Sequence, residues 1–137
     1  MQVSPGRLTG IKVVLAIGLL VGAFWGIGNL VFPETMHEAT APEGEPYTST
    51  HNSMMMTIGA FALTWAVAAA IALGKPLGNL GLLQAITAAL LVLGLVGFYT
   101  DLVVSERTTA FTLGTDILLL ALGVALLLLY PRGRKSS

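Results

Sequence analysis

At 137 residues, with 55% hydrophobic and only 10% charged side chains, the chain sits far from soluble domains, where roughly a quarter of residues are charged. Seven Lys and Arg balance seven Asp and Glu, and this neutrality argues for no nucleic-acid partner. The lack of cysteine excludes disulfides, thiolate metal sites and cysteine nucleophiles.

The first apolar run, residues 8–32, is the longest of four. A membrane span needs about 20 mostly apolar residues, and this run has length to spare for tilt. Arg7 and Lys12 before it and Ala39, Thr40 and Ala41 after it imitate a cleavable signal. The apolar core of a signal peptide runs only about 7–15 residues, so the run reads as a retained helix. Gly18, Gly22 and Gly26 recur every four residues along it, and Pro33 stops it.

Residues 33–53 form an acidic outer loop holding Glu34, Glu38, Glu43 and Glu45. Both histidines and four of the five methionines lie in it or at its edge. Imidazole and thioether donors suit copper(I). His51 and Met55 are spaced i, i+4 and share a helix face, so a metal site would combine them with His37 and Met36 folded back from the loop. Met54, Met55 and Met56 diverge by about 100° each and cannot all converge on one ion. The competing reading is ordinary: flexible packing for methionine and solvation for histidine.

The second run, residues 54–73, has Thr50, Asn52 or Ser53 available as its cap. It carries an alanine ridge at Ala62, Ala66 and Ala70, with Trp65 near its middle. A tight turn around Gly74, Pro76 and Gly78 leads to the third run, residues 80–99, and makes the two helices antiparallel neighbours. The third run repeats small residues at Gly81, Ala85 and Ala89, and Gln84 and Thr87 share a face. The fourth run, residues 112–130, has Ala121 and Ala125, then a basic tail at Arg132, Arg134 and Lys135. Small residues let helices approach closely in lipid, where association rests on contact rather than water exclusion. Such ridges serve packing within one chain, or a seam between copies.

Placing the connecting segments alternately on two sides sorts the charges. Arg7, Lys12, Lys75, Arg132, Arg134 and Lys135 fall on one side. All acidic residues fall on the other, with Arg107 the one basic exception. Lys and Arg are retained in the cytoplasm during insertion. The expected fold is therefore all-α: an integral membrane four-helix bundle, one domain over 1–137, with both termini cytoplasmic and the outer loops extracytoplasmic.

No charge lies at a midplane. Lys12 snorkels to the surface, Asp101 closes the third run, and Asp116 lies one or two turns inside the fourth. Active transporters normally carry a charge at depth, so this pattern weighs against one.

The pattern as a whole resembles the DoxX-like group of small four-span bacterial membrane proteins. It rests on the Gly-rich aromatic stretch Gly22, Phe24, Trp25, Gly26, Gly28 to Pro33, on the small-residue opening Thr57, Gly59, Ala60, Ala62, and on the final hairpin with its basic tail. The resemblance implies a bacterial inner-membrane location and company such as quinone-linked oxidoreductase subunits or assembly factors. It transfers no active-site residue.

Three functions follow as expectations. The leading one is a non-catalytic membrane subunit or assembly partner that binds another membrane protein or its own copies. The second is copper or other metal handling through His51, Met55, His37 and Met36. The third is a membrane enzyme, or a binder of an apolar ligand such as a quinone or lipid, seated near Trp65, Gln84 and Thr87. No catalytic residue is assigned, and the reading leans away from an enzyme.

Overall fold

Proline decides where the first two helices begin. In the computed structural model, which describes residues 3–41, 43–104 and 109–131, α1 runs Pro5–Val31 and α2 Pro33–Thr40. Proline opens each at no cost, because the first amides of a helix have no partner within it. Pro33 also ends α1, having no N–H to give the Asn29 carbonyl. The break is one residue long: Phe32 adopts φ −129° and ψ 54° while its amide still donates to Gly28 O at 2.8 Å. The segment expected as a loop over 33–53 therefore begins as a short helix.

The third helix, α3, spans Ser49–Gly74 and starts ahead of the expected residue 54. Its cap is Thr48 rather than Thr50, Asn52 or Ser53. The Thr48 hydroxyl accepts the His51 amide at 3.3 Å, and His51 Nδ1 accepts the Thr48 amide at 3.3 Å. This reciprocal box normally uses Glu or Gln three residues in, and a histidine there conceals it. After the turn at 75–79, α4 covers Leu80–Tyr99 and continues through one π-helical turn, Thr100–Val104. The third apolar run thus reaches beyond residue 99. The last helix, α5, spans Ala110–Leu129 and is capped by Thr109, whose hydroxyl accepts the Thr112 amide at 3.2 Å. Among the described residues there is no strand. Glu106, Arg107, Arg132, Arg134 and Lys135 lie outside them.

Among the described residues, four helical runs are long and apolar enough to cross a membrane: α1, α3, α4 with its π turn, and α5, with mean hydropathies from 2.0 to 2.3. Their outer faces are apolar too. Leu20, Phe61 and Leu128 are 70%, 66% and 63% exposed, among many others. An apolar surface this broad matches a hydrocarbon environment rather than water. These are the lengths and compositions of a multi-pass membrane protein.

The helices pack mainly as two pairs, α1 on α3 and α4 on α5. Small residues make both contacts. Gly22 abuts Ala62 and Ala66, and a Cβ on Gly26 would fall 2.9 Å from the Leu63 amide nitrogen. Gly59 faces Asn29 and the Gly26 carbonyl. In the second pair Gly94 lies against Leu120 and Gly123 against Leu91. The glycine ridge on α1 is thus occupied inside the chain at Gly22 and Gly26, while Gly18 meets nothing. Although α3 and α4 are joined by a tight turn, they touch over a shorter length than either does its main partner.

The two pairs converge at the end carrying that turn. Ile11, Leu15, Ala72, Leu83, Ile86 and Leu126 are buried together there. At the same end the Arg7 guanidinium donates to the carbonyls of Leu128, Leu129 and Tyr130 at 2.8, 2.9 and 3.2 Å. Those carbonyls close α5 and would otherwise lack partners. Arg7 therefore clasps the first helix to the last.

Candidate functional site

Where the pairs part, an apolar slot of about 430 Å³ opens between them. Its base is made by Leu15, Ile86 and Leu126 of the buried cluster. Its sides come from Gly18 and Gly22 on α1, Ala62 and Ala69 on α3, Ala89 and Leu93 on α4, and Leu119 on α5. Small residues on three helices leave the space that larger ones would fill. Both tryptophans, Trp25 and Trp65, line it. Trp25 also stacks on Phe111 of α5 with ring centroids 5.3 Å apart, bridging the pairs. From Thr115 to Leu126 the lining follows α5 for roughly 16 Å at the rise of an α-helix.

The polar side chains on the wall are Thr115 and Asp116. Thr115 gives its hydroxyl to the Phe111 carbonyl at 2.9 Å, so its donor is spent within its own helix. Asp116 reaches between α4 and α5 at Gly97, where an added Cβ would collide with the carboxylate. Asp101, on the π turn, sets its carboxyl against that of Asp116. Single π turns in long helices recur at functional sites because they re-aim one residue. The acidic residue of this turn is Asp101.

Of the residues expected to hold an apolar ligand, the structure places Trp65 on the slot wall. Thr87 is buried, bonded to the Leu83 carbonyl at 2.8 Å, and is not part of the lining. Gln84 is exposed on the outer face of α4. The i, i+3 spacing sets Gln84 and Thr87 near one another on α4, yet one is exposed and the other buried. Where the edge of the packed face falls depends on how α4 sits in the bundle, and periodicity alone does not carry that.

The expected metal residues come together differently. Met36 and His37 do fold back: both are buried, and the Met36 thioether packs on Gly28 of α1. His37 stacks on His51 with ring centroids 4.5 Å apart and planes 30° apart, and Tyr47 covers it at 5.3 Å. Imidazole lone pairs lie in the ring plane, so stacked rings do not aim at one ion. His51 is also occupied on both nitrogens. Nδ1 accepts from Thr48, which places the ring proton on Nε2, 3.4 Å from Glu45 Oε1. Met55 is buried in α3. Among the described residues no three of His, Asp and Glu are grouped as a metal site requires.

This corner is a packed cover over the ends of α1 and α3. Tyr47 donates its hydroxyl to Asn52 Oδ1 at 2.7 Å, and partial burial, then the negative charge of Glu34, raise its pKa above the ordinary phenol value. Among the described residues, the buried side-chain atoms His37 Nε2 and Asn29 Oδ1 have no hydrogen-bond partner. Asn29 uses its amide nitrogen on the Trp25 carbonyl at 2.7 Å.

Comparison with family models, with curated proteins and with solved structures finds no match for this chain.

Proposed function

We propose that this protein is a non-catalytic four-helix bundle of the bacterial inner membrane that holds an apolar, chain-bearing ligand of the lipid or quinone class. The slot between the helix pairs carries the reading. Its volume of about 430 Å³ falls within the roughly 300–1,000 Å³ usual for small-ligand sites. The termini would face the cytoplasm, because Arg7 and Lys75 lie at the converged end, and the cover formed by α2 would face outward. The DoxX-like relationship remains part of this proposal on the sequence pattern alone. Mass spectrometry of an organic extract of protein purified in mild detergent tests the reading. A stoichiometric lipid or quinone is expected from the wild type and is lost from Ala89→Phe, which fills the slot. Bare protein from both would end it.

A second reading, a subunit that associates with another membrane protein or its own copies, has its own observation. Gly81, Gln84, Ala85 and Ala88 are exposed together on α4, and an added Cβ on Gly81 would meet nothing. An amide on a lipid-facing ridge of small residues is suited to a bond with another helix. Light scattering in detergent would show an oligomer that Gln84→Ile weakens. A wild-type monomer without a partner would remove this reading.

A further inference from the structure

We infer that the slot is a one-ended ruler: it admits one hydrocarbon chain and limits its length, with Leu15, Ile86 and Leu126 as the floor and Gly18 just above it. This deepens the ligand-binding reading and rests on it. Three helices give the slot the same length. Its lining covers residues 14–25 of α1, 58–69 of α3 and 115–126 of α5, and eleven steps of an α-helix rise roughly 16 Å. Over that length, a volume of about 430 Å³ leaves a mean cross-section of about 27 Å². Hydrocarbon chains in contact sit about 4 Å apart, carbon to carbon, so each takes about 16–20 Å². One extended chain fits, and two side by side do not.

The inner end is closed. Leu15, Ile86 and Leu126 are buried, and behind them Ile11, Ala72 and Leu83 have no exposed surface at all. The other end carries the half-buried Trp25 and Thr115. A chain entering there stops at the floor, because a packed interior resists overfilling. An all-trans chain with bonds of about 1.5 Å advances about 1.25 Å per carbon, so about 13 carbons reach the floor. Gly18 stands three residues before Leu15 on α1, roughly 4.5 Å nearer the open end. An added Cβ there meets nothing within 4 Å, so a side chain at this position would stand in the path of the chain.

Both tryptophans of the protein line the slot and report its occupancy. The protein is placed in nanodiscs with chain-brominated octanol, whose bromine quenches indole on contact. Straight-chain alcohols from octanol to octadecanol then relieve the quenching. Potencies are compared as mole fractions in the bilayer, which removes the gain in partitioning that each methylene brings. On the wild type, potency should hold to about tridecanol and fall about five-fold or more by hexadecanol. In Gly18→Ile the fall should come about three or four carbons earlier. In Leu126→Ala it should come about two carbons later, as the floor recedes. Should Leu126→Ala fail to fold, Gly18→Ile decides alone, since its side chain enters open space. A phospholipid brominated on one chain separates the two sources of such a chain. Quenching by it that the alcohols relieve assigns the slot to one arm of a bilayer lipid, and no such quenching assigns it to a free single-chain amphiphile. Potency undiminished through octadecanol on the wild type overturns the inference without recourse to any variant. So does a cut-off that stays in place in Gly18→Ile. In either case saturable displacement leaves the broader ligand reading standing. Absence of displacement by every alcohol removes both.

Discussion

The two helix pairs solve the same problem with the same device and part at one position. In α1–α3 a Cβ on Gly26 would lie 2.9 Å from the Leu63 amide nitrogen, and one on Gly59 3.0 Å from the Gly26 carbonyl oxygen. In α4–α5 a Cβ on Gly94 would lie 2.8 Å from the Leu120 amide nitrogen and one on Gly123 3.0 Å from that of Leu91, but Gly97 receives a side chain, the Asp116 carboxylate. Backbone cannot step aside, whereas a side chain can change rotamer. Both contacts are therefore rigid at their glycine crossings, and Gly97 is where the second pair gives way to a polar group.

That contrast is open to test, and the largest effect belongs to a backbone contact. Gly26→Val should lower stability by about 3 kcal/mol or more, because overpacking that cannot relax exceeds the usual 1–3 kcal/mol. Thermal denaturation in detergent would read it, and a wild-type midpoint would show that the α1–α3 contact is looser than described. Next comes Arg7→Met. Hydrogen bonds to charged groups contribute about 1.5–3 kcal/mol each before solvent screening, and this guanidinium is only half-buried, so a total loss of about 1–2 kcal/mol is expected. Hydrogen exchange should rise at the end of α5, and an unchanged pattern would mean that the clasp does not hold the pairs together.

Gly97→Ala sharpens the contrast most directly. Its added methyl meets a side chain, so the cost should be nearer 1 kcal/mol, at the low end of overpacking. A loss as large as that of Gly26→Val would dissolve the distinction between Gly97 and the backbone contacts. Thr48→Ala removes the cap of α3 and should cost about 0.5–2 kcal/mol, read as earlier fraying of residues 49–52 by hydrogen exchange. Smallest of all is Gly18→Ala. With nothing within 4 Å of its Cβ, it should leave stability within about 0.5 kcal/mol of wild type. A large loss there would place Gly18 in a seam between copies.

The small residues of the α1–α3 pair were the easier to read in advance. Gly22 and Gly26 stand on a strict four-residue spacing and the opposing Ala66 on another, so both ridges show in the sequence, though not that they meet. The second pair was not legible in the same way. Of its contact glycines, Gly94 lies off the four-residue series of Gly81, Ala85 and Ala89, Gly97 continues that series only beyond Leu93, and Gly123 lies off the Ala121 and Ala125 series of α5. Asp116 was visible as a charge inside an apolar run. Its neighbour Asp101 became significant only through the π turn, which no local residue pattern announces. The histidine corner gave the reverse lesson. Composition drew His37, His51, Met36 and Met55 together as metal donors, and folding does gather them near one end. It spends them on a stack, a cap and packing under Gly28, because ring orientation, not proximity, decides whether donors converge.

Four runs of membrane-spanning length were determined by the sequence itself, since hydrophobic length is a local property that needs no partner to be read. The prolines at positions 5 and 33 likewise fixed where helices start, through a missing N–H. Which helices pair, where the pairs separate, and that Asp116 lines the space between them were decided only in three dimensions. Apolar helices in an apolar medium have no preferred face until close contacts choose one, and a few glycines made that choice.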